Sequence, residues 1–252
     1  MKKFIKKTIV SGISDNGGTV KISKFLADCG IASRRASEDL VKSGRVSVNG
    51  KRMANVAKRI NPKKDKVEYG NRAVKPLAHV YYLLDKPLGY TSTTKDRHAK
   101  KLVTSLVPKI PPVWPVGRLD QNTEGLMILT NDGDLTQKLT HPKYEREKEY
   151  HLTPNQKLTN QEIKRIQSGV TLEDGFIKPD WFEEIENGKY KIIIHSGKKR
   201  VVRRLIERIG KSVIELKRVR IDFLTLDGLE SGKWRKLSDT EVKRLLQLPC
   251  PR

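Results

Sequence analysis

The chain has 252 residues, of which 52 are Lys or Arg and 29 are Asp or Glu, so its formal net charge is +23 at neutral pH. At about 100 to 200 residues per domain, this length allows one large domain or two unequal ones, and we predict two. Positive charge spread along the chain indicates a folded surface that binds a polyanion, with nucleic acid as the leading partner and an anionic membrane as the alternative. No apolar run approaches the ~18 residues of a spanning helix. The two cysteines, Cys29 and Cys250, are too far apart in sequence to indicate a disulfide framework or a thiolate metal site. This use of cysteine favours a reduced, cytoplasmic protein.

The first 20 residues, MKKFIKKTIVSGISDNGGTV, form a basic N-terminal segment. They lack both a long apolar core and a cleavage site of small residues, so we predict a flexible tail that attracts phosphate. An organellar transit sequence is the alternative interpretation. In either case we expect the folded part to begin near Lys21.

Residues 21–69 have the pattern of two short helices followed by a hairpin. Apolar residues recur at helical spacing up to Cys29, and Gly30 then stands where a left-handed residue ends a helix. Ser33 can cap a second helix that Gly44 ends. Alternating valines and the Asn49–Gly50 pair predict a tight β-hairpin after it.

Basic side chains are concentrated on this small unit. Arg34 and Arg35 open the second helix, where a cation opposes the helix dipole at a cost of ~0.3 to 1 kcal/mol each, so a functional reason such as phosphate contact is favoured. A solvated basic face is the alternative for any one of these residues. The predicted phosphate contacts are Lys24, Arg34, Arg35, Lys42, Arg45, Lys51 and Arg52.

The SRR start of the second helix and the GRVSVNGK hairpin resemble the RNA-binding domain named after ribosomal protein S4. The resemblance covers about residues 21 to 68. It implies that the unit grips folded RNA through the helix that carries Arg34 and Arg35. Such a domain positions a protein on RNA and does not itself catalyse a reaction.

Residues 70–77 are predicted to be a linker, and residues 78–252 show a second pattern. A buried strand at residues 80–84 leads into a Lys-Pro-Leu-Gly loop, and KKLVTSLVP then has apolar residues at helical spacing. Further strands are predicted at residues 126–130, 149–153, 189–195 and 212–221, and helices at residues 134–140, 159–167, 199–209 and 239–247. Without a regular strand-helix repeat, this pattern predicts an α+β domain with a mixed or antiparallel sheet.

Asp120 stands in a turn, GRLDQNTEG, immediately before an apolar strand. A loop aspartate often only forms a turn or caps a helix. Here Arg118 and the cationic surroundings favour an ionised carboxylate, and the strand that follows holds it rigidly. Such a group can act as a nucleophile or stabilise positive charge on a sugar, and the spacing leaves a glycosidase-like pair with Glu124 open.

Other chemistry finds little support in the sequence. It contains no GxxxxGK[ST] or GxGxxG motif for a nucleotide and no GxSxG motif for a serine nucleophile. Its five histidines are scattered without the close spacing of metal ligands. We therefore predict no metal site and no cofactor.

Four motifs together resemble those of a known family. They are VGRLDQNTEGLMILTNDGDL, KPLG at 86–89, KEY at 148–150, and SGKKRVVRRLIERIG. These are similar to the motifs of the RsuA/RluB group of bacterial ribosomal RNA pseudouridine synthases, and with the N-terminal unit the resemblance covers about residues 21 to 248. It implies a pseudouridine synthase domain that isomerises one uridine of ribosomal RNA without metal, nucleotide or redox cofactor.

The resemblance also implies roles for three residues. Asp120 is the essential aspartate, which attacks or stabilises the sugar or base while the glycosidic bond is broken. Tyr150 stacks on the target uracil, a contact generally worth ~1 to 3 kcal/mol per base, whereas without the resemblance a core tyrosine is favoured. Arg203 pairs with Asp120, although Val201 stands where the family often has glutamine.

A uridine in an RNA stack must be flipped out to meet a protein carboxylate, at a cost of a few kcal/mol. We predict that Lys86, Arg118, Lys198 and Arg200 help to offset this cost by gripping RNA, so binding weakens steeply with salt. Within the family, the THPKY and EREKEY segments resemble the branch that acts on the large subunit, which implies large-subunit (23S) ribosomal RNA, free or in a subunit precursor, as the partner. We also predict a monomeric enzyme. Small-subunit (16S) RNA and a non-catalytic ribosome-assembly factor are the alternatives.

Overall fold

The structure, a computed structural model, describes residues 18–94 and 101–248. All but the end of the predicted tail, residues 1–20, therefore lies outside the described residues. The chain divides into two compact units, Met1–Val80 with Ile110–Pro112, and Tyr81–Lys109 with Val113–Arg252. No helix in the described ranges has the length and apolar character needed to cross a bilayer.

The first unit contains the predicted pair of helices and hairpin. Its elements are β1 (Val20–Lys21), α1 (Ile22–Asp28), α2 (Arg34–Lys42), β2 (Val46–Val48), β3 (Lys51–Met53), β4 (Arg59–Ile60), β5 (Val67–Tyr69) and β6 (Arg72–Ala73). The strands form a four-stranded antiparallel sheet in the order β3-β2-β5-β6 and a separate pairing of β1 with β4.

Local sequence explains the borders of these helices. The Ser33 hydroxyl accepts a hydrogen bond from the backbone N–H of Ala36 at the start of α2. Gly30 and Gly44 adopt left-handed conformations just after the two helices. Asn49 and Gly50 both have positive φ in the tight turn between β2 and β3, so the predicted hairpin is confirmed.

Residues 70–77, predicted to be a linker, are partly folded into the first unit. In β6, Ala73 pairs with Glu68 of β5. The backbone N–H of Val74 donates to the Val67 carbonyl at 3.0 Å, and that of Leu77 donates to the Asp28 carbonyl at 2.9 Å. A two-residue strand without apolar alternation leaves no pattern from which it could be predicted.

The second unit is built on one large mixed sheet. Short 3₁₀ helices lie at Val103–Leu106 and Pro142–Tyr144. Its other elements are β7 (Tyr81–Lys86), β8 (Trp114–Pro115), β9 (Glu124–Thr130), α3 (Gly133–Thr140), β10 (Lys148–Pro154), α4 (Asn160–Ser168), β11 (Val170–Leu172), β12 (Gly175–Ile177), β13 (Trp181–Glu186), β14 (Lys189–Ile194), α5 (Val201–Glu207), β15 (Val213–Ile221), β16 (Leu224–Thr225), β17 (Trp234–Lys236) and α6 (Asp239–Gln247).

The order of strands in this sheet is β13-β14-β10-β15-β9-β7-β17, with β16 on β15 and β8 on β9. Neighbours are antiparallel except β15 and β9, which are parallel. Buried side chains of β7, β9, α3 and α6, among them Leu83, Ile128, Leu135 and Leu245, form a core on one face. The predicted α+β class with a mixed sheet is thus confirmed.

The largest differences from the prediction concern α5 and the segment after the KPLG loop. The helix expected at residues 199–209 begins only at Val201, because Arg200 has a left-handed backbone with φ of 52°. The apolar spacing near Leu102 belongs to a 3₁₀ helix. Strands β13 and β17, which have little apolar alternation, were not predicted.

Gly125 occupies the point where β9 and β15 pair in parallel. Its φ is +110°, and a Cβ atom there would lie 2.2 Å from the carbonyl oxygen of Arg218. No side chain fits in that gap. The two strands therefore approach each other at the first residues of β9, directly after the turn that holds Asp120.

Candidate active site

Asp120 lies in the turn between β8 and β9, and its carboxylate is partly exposed. In the described part of the chain this carboxylate makes no hydrogen bond or ion pair. The backbone around it is heavily bonded instead, beginning with the N–H of Thr123, which donates to the carbonyl of Asp120 at 3.0 Å. The turn thus presents a carboxylate that has no partner among the described residues, on a backbone that hydrogen bonds hold in place.

Two polar side chains from segments distant in sequence, those of Ser92 and Lys86, hold this turn. Ser92 donates to the Leu119 carbonyl at 2.6 Å and accepts from the Leu119 N–H at 3.1 Å. The ammonium of Lys86 donates to the carbonyls of Asp120 at 3.2 Å and Thr123 at 2.7 Å. Such bonds to buried backbone groups fix the turn, which is what a preorganised site requires.

Lys86 corrects one prediction. It was expected to contact RNA, but its side chain is fully buried and its ammonium donates to three carbonyls, the third being that of Pro87. A buried ammonium cannot reach a phosphate. Lys86 acts instead on the position of Asp120, because it ends β7 pointing into the turn.

Arg203 corrects a second expectation. The resemblance implied an ion pair with Asp120, but within the described residues none forms. The guanidinium, 5% exposed, donates from Nη2 to the Asn122 carbonyl at 2.6 Å and from Nη1 to the Val213 carbonyl at 2.8 Å. Arg203 therefore ties the turn to the start of β15.

The pKa of Arg203 still registers the nearby carboxylate. Burial lowers the pKa of the guanidinium, Arg200 lowers it further, and the negative charge of Asp120 acts in the opposite direction. Arg203 and Asp120 thus interact through space without contact.

A pocket of about 380 Å³ opens beside this turn. Asp120 and Tyr150 both line it, so the structure brings these two predicted residues together. Tyr150 is 9% exposed and lies on β10, between Ile192 of β14 and Arg218 of β15. It is at once a sheet tyrosine and a wall of the pocket, and its stacking role stays a prediction.

Two cationic side chains of the pocket were not predicted. The Lys148 ammonium donates to the carbonyls of Arg146 at 2.8 Å and His195 at 3.4 Å, and burial, helped by Arg218, lowers its pKa to about 8. Arg218 is 3% exposed. In the sequence Lys148 is part of KEY, and Arg218 follows Leu216 at strand alternation, so period-two spacing was the available signal.

The predicted RNA contacts of the second unit differ in availability. Arg118 is exposed and lines the pocket. The Lys198 ammonium donates to the carbonyl of Asp174 and lies 3.7 Å from its carboxylate. Arg200 lies 3.4 Å from Glu207. Arg118 is therefore the most available of these cations.

The predicted RNA contacts of the first unit are mostly exposed. Arg34 and Arg35 project from the start of α2 without an ion pair among the described residues, and Lys51 and Arg52 are exposed on β3. Lys24 is half-buried and forms an ion pair with Asp28 at 3.1 Å. The two arginines of α2 are thus the best placed to meet a phosphate.

A second, more open cleft of about 680 Å³ is also lined by Asp120, together with Glu124. The pair that sequence spacing left open therefore shares a cleft. Among residues 18–94 and 101–248, no three His, Cys, Asp or Glu side chains group closely enough to hold a metal ion.

Replacing Lys86 by methionine should alter the pH dependence of stability. Burial lowers the pKa of Lys86 from about 10.5 to about 8. Between these values the unfolded chain binds more protons, so the wild type gains stability as pH rises, by up to about 1.4 kcal/mol per pH unit. We expect the free energy of unfolding of the wild type, relative to Lys86→Met, to increase from pH 8 to pH 10 in urea titrations.

The exposed Lys243 provides the matched control. The difference in unfolding free energy between the wild type and Lys243→Met should stay constant over the same pH range. A constant difference for Lys86→Met as well would contradict the prediction.

Two family models match the sequence. The model described as RNA pseudouridylate synthase matches residues 80–208. The model of the S4 domain matches residues 20–66. The first match falls almost entirely in the second unit and the second entirely in the first.

Three curated relatives are similar over most of this chain. An uncharacterized RNA pseudouridine synthase of Aquifex aeolicus is 41% identical over 90% of this chain and 94% of its own. Ribosomal large subunit pseudouridine synthase B of Bacillus subtilis is 39% identical over 90% and 96%. The dual-specificity RNA pseudouridine synthase RluF of Escherichia coli is 33% identical over 91% and 79%.

A solved structure has the same fold. A crystal structure of a pseudouridylate synthase superposes with a TM-score of 0.65 and 24% identity, covering 90% of this chain and 99% of that one. At this level of identity the likeness establishes the fold alone.

Proposed function

This chain belongs to the RNA pseudouridylate synthase family and carries an S4 domain, and we propose that it converts one uridine of large-subunit ribosomal RNA into pseudouridine. The observation that carries the proposal is the turn of Asp120. It presents an unpaired carboxylate, on a backbone fixed by Lys86, Ser92 and Arg203, to a pocket shared with Tyr150.

The geometry fits a flipped nucleoside. The pocket is large enough for a pyrimidine, and it is lined both by Tyr150, on which a base could stack, and by Asp120. A carboxylate kept ionised can stabilise positive charge on the sugar or bond to it as the base leaves. The reaction rearranges one nucleoside, so its atoms balance without a co-substrate.

The first unit supplies affinity and placement. Exposed cations of α2 and β3, which include Arg34 and Arg35, can follow an RNA backbone. In the second unit, the exposed Arg118 lines the pocket and can contact RNA as well. Binding energy from both offsets the cost of unstacking the target base.

The choice of large-subunit RNA rests on the THPKY and EREKEY segments. The relative named ribosomal large subunit pseudouridine synthase B, 39% identical, supports the same choice. The proposal includes a monomeric enzyme in the cytoplasm, acting on free ribosomal RNA or on a subunit precursor. Small-subunit RNA and a non-catalytic assembly factor are the outcomes that would replace it.

The test is a map of pseudouridines in ribosomal RNA. Carbodiimide-dependent reverse-transcriptase stops are compared between cells that lack the protein and cells in which it is restored, and purified protein is then added to RNA from the deficient cells. We expect one stop in large-subunit RNA to be absent from cells that lack the protein and to return in cells in which it is restored. The purified protein should create the same stop in RNA from the deficient cells. A stop in small-subunit RNA would move the substrate, and no change at all would favour the assembly factor.

Charge removal at the start of α2 should weaken RNA binding in a salt-dependent way. For the double variant Arg34→Gln/Arg35→Gln we expect a lower affinity and a slope of log K against log salt that is shallower by about 1.5, since each lost phosphate contact accounts for about 0.7 to 0.9. Filter binding to ribosomal RNA at several salt concentrations measures both.

Lys164→Gln/Arg165→Gln removes the same charge from exposed positions on α4. An equal change of slope in this control would show that net charge, and not the face of α2, determines binding.

A further inference from the structure

Arg218 is a buried charge without a counter-charge. Its side chain is 3% exposed, and its Nε donates to the Leu126 carbonyl at 2.8 Å. The Nη2 atom is buried without a hydrogen-bond partner. Within the described residues no carboxylate forms an ion pair with this guanidinium.

Such a group is costly to bury. Removing an ionised side chain from water is unfavourable unless hydrogen bonds and an opposite charge compensate. A guanidinium has five N–H donors, of which only the one on Nε has an acceptor in the described part of the chain. An anion supplied from outside would satisfy the rest.

The pocket around Arg218 has the same excess of positive charge. Lys148 lines it too, and both of its hydrogen bonds go to neutral carbonyls. Burial lowers the pKa of both Lys148 and Lys86, and the charge of Arg218 lowers each further. The end of the pocket near Arg218 and Lys148 is therefore electrostatically suited to bind a negatively charged group.

Arg218 lies beside the residue on which the base is proposed to stack. It is the direct partner of Tyr150 in the pairing of β10 with β15, and both side chains line the pocket. Partners of this kind have Cβ atoms about 5 Å apart. A ring stacked on Tyr150 thus presents an edge to the guanidinium.

The proposed reaction creates negative charge on that ring. The bond from N1 to C1′ breaks, its electron pair moves to the uracil, and the charge is shared by the carbonyl oxygens. A bond then forms from C5 to C1′, the C5 proton leaves and N1 gains a proton, so nothing else is consumed. Donors that meet this charge act mainly in the transition state.

We propose that Arg218 binds a carbonyl oxygen of the flipped uracil and stabilises the negative charge of the ring while it is detached from the sugar, an inference that rests on the proposed function. Arg218 is then a catalytic residue. Asp120 acts on the sugar and Arg218 on the base.

The experiment combines a protein change with a change of one substrate atom. Wild type, Arg218→Gln and Arg218→Lys are assayed in single turnover on an RNA stem-loop that spans the mapped nucleotide and carries uridine, 2-thiouridine or 4-thiouridine there. For Arg218→Gln on uridine we expect a rate about 100-fold lower, as for loss of one oxyanion donor, with the Kd for RNA within about threefold. Arg218→Lys should recover part of the rate.

The substrate change gives the decisive comparison. Sulfur accepts hydrogen bonds poorly, so one of the two thio substrates should slow the wild type by about tenfold relative to Arg218→Gln. Equal thio effects in both proteins would overturn the proposal, as would a wild type insensitive to both substitutions. The second comparison needs no variant and holds even if the variants fold poorly.

Arg220→Gln is the matched control. It removes the same charge from the same strand, where Arg220 pairs with Glu149 and Glu147 outside the pocket. Its rate should stay within about twofold of wild type, and a loss like that of Arg218→Gln would overturn the assignment to the pocket. A wild type inactive on every ribosomal RNA would instead refute the proposed function itself.

Discussion

Asp120→Asn is expected to abolish pseudouridine formation, with kcat lower by at least about 1000-fold, while the fold and the affinity for RNA stay unchanged. Asparagine has the shape of aspartate but neither its charge nor its nucleophilicity, so it can neither bond to the sugar nor stabilise positive charge there. Release of tritium from C5-labelled uridine in ribosomal RNA measures the rate.

We expect this substitution to leave the surrounding structure unchanged. In the described part of the chain the Asp120 carboxylate makes no hydrogen bond or ion pair, so its loss leaves no partner unsatisfied. Asp239→Asn, at an exposed position in the first turn of α6, is the control. If Asp120→Asn kept a tenth of the wild-type rate, another group would have to be the essential one.

Gly125→Ala is expected to destabilise the second unit by at least about 3 kcal/mol. The new Cβ would lie 2.2 Å from the carbonyl oxygen of Arg218, and φ of +110° is unfavourable for alanine. The parallel pairing of β9 with β15 must open to accommodate it, which also moves the turn of Asp120. Urea unfolding measures the loss of stability, and the tritium assay measures the loss of activity.

Gly133→Ala serves as the comparison. Gly133 begins α3 and lacks the positive φ, and a Cβ atom added there would meet no other atom within 4 Å. Alanine should be neutral or slightly stabilising at this position. A destabilisation of Gly125→Ala below about 1 kcal/mol would show that the two strands separate easily.

Much of the fold was predictable from the sequence because its signals are local. Ser33, Gly44 and Asn49–Gly50 mark the ends of elements by their own chemistry. The apolar run before Thr130 identified β9, although the strand begins two residues earlier than predicted. Short polar strands such as β6 and β17 were not predictable, because they are extended only through their pairing with neighbouring strands, β5 and β7 respectively.

The site was predictable only in part. Motifs identified Asp120 and Tyr150, and the structure brings both to one pocket. Motifs could not show that Lys86 points inward or that Arg203 bonds to Asn122, because both facts depend on the path of the backbone. The only local sign that Arg218 is buried is its period-two spacing from Leu216, and its neighbours in the sheet are needed to place it beside Tyr150.

The position of β15 has a consequence for synthesis of the protein. This late strand lies between β10, which carries Tyr150, and β9, which follows Asp120, so it joins two groups of strands that precede it in the chain, β13-β14-β10 and β9-β7. Non-local pairings of this kind form late in folding. A nascent chain that ends before Val213 already contains both residues but lacks the strand between them and the part of the pocket wall that this strand supplies. We therefore expect the enzyme to become active only when its own translation is nearly complete.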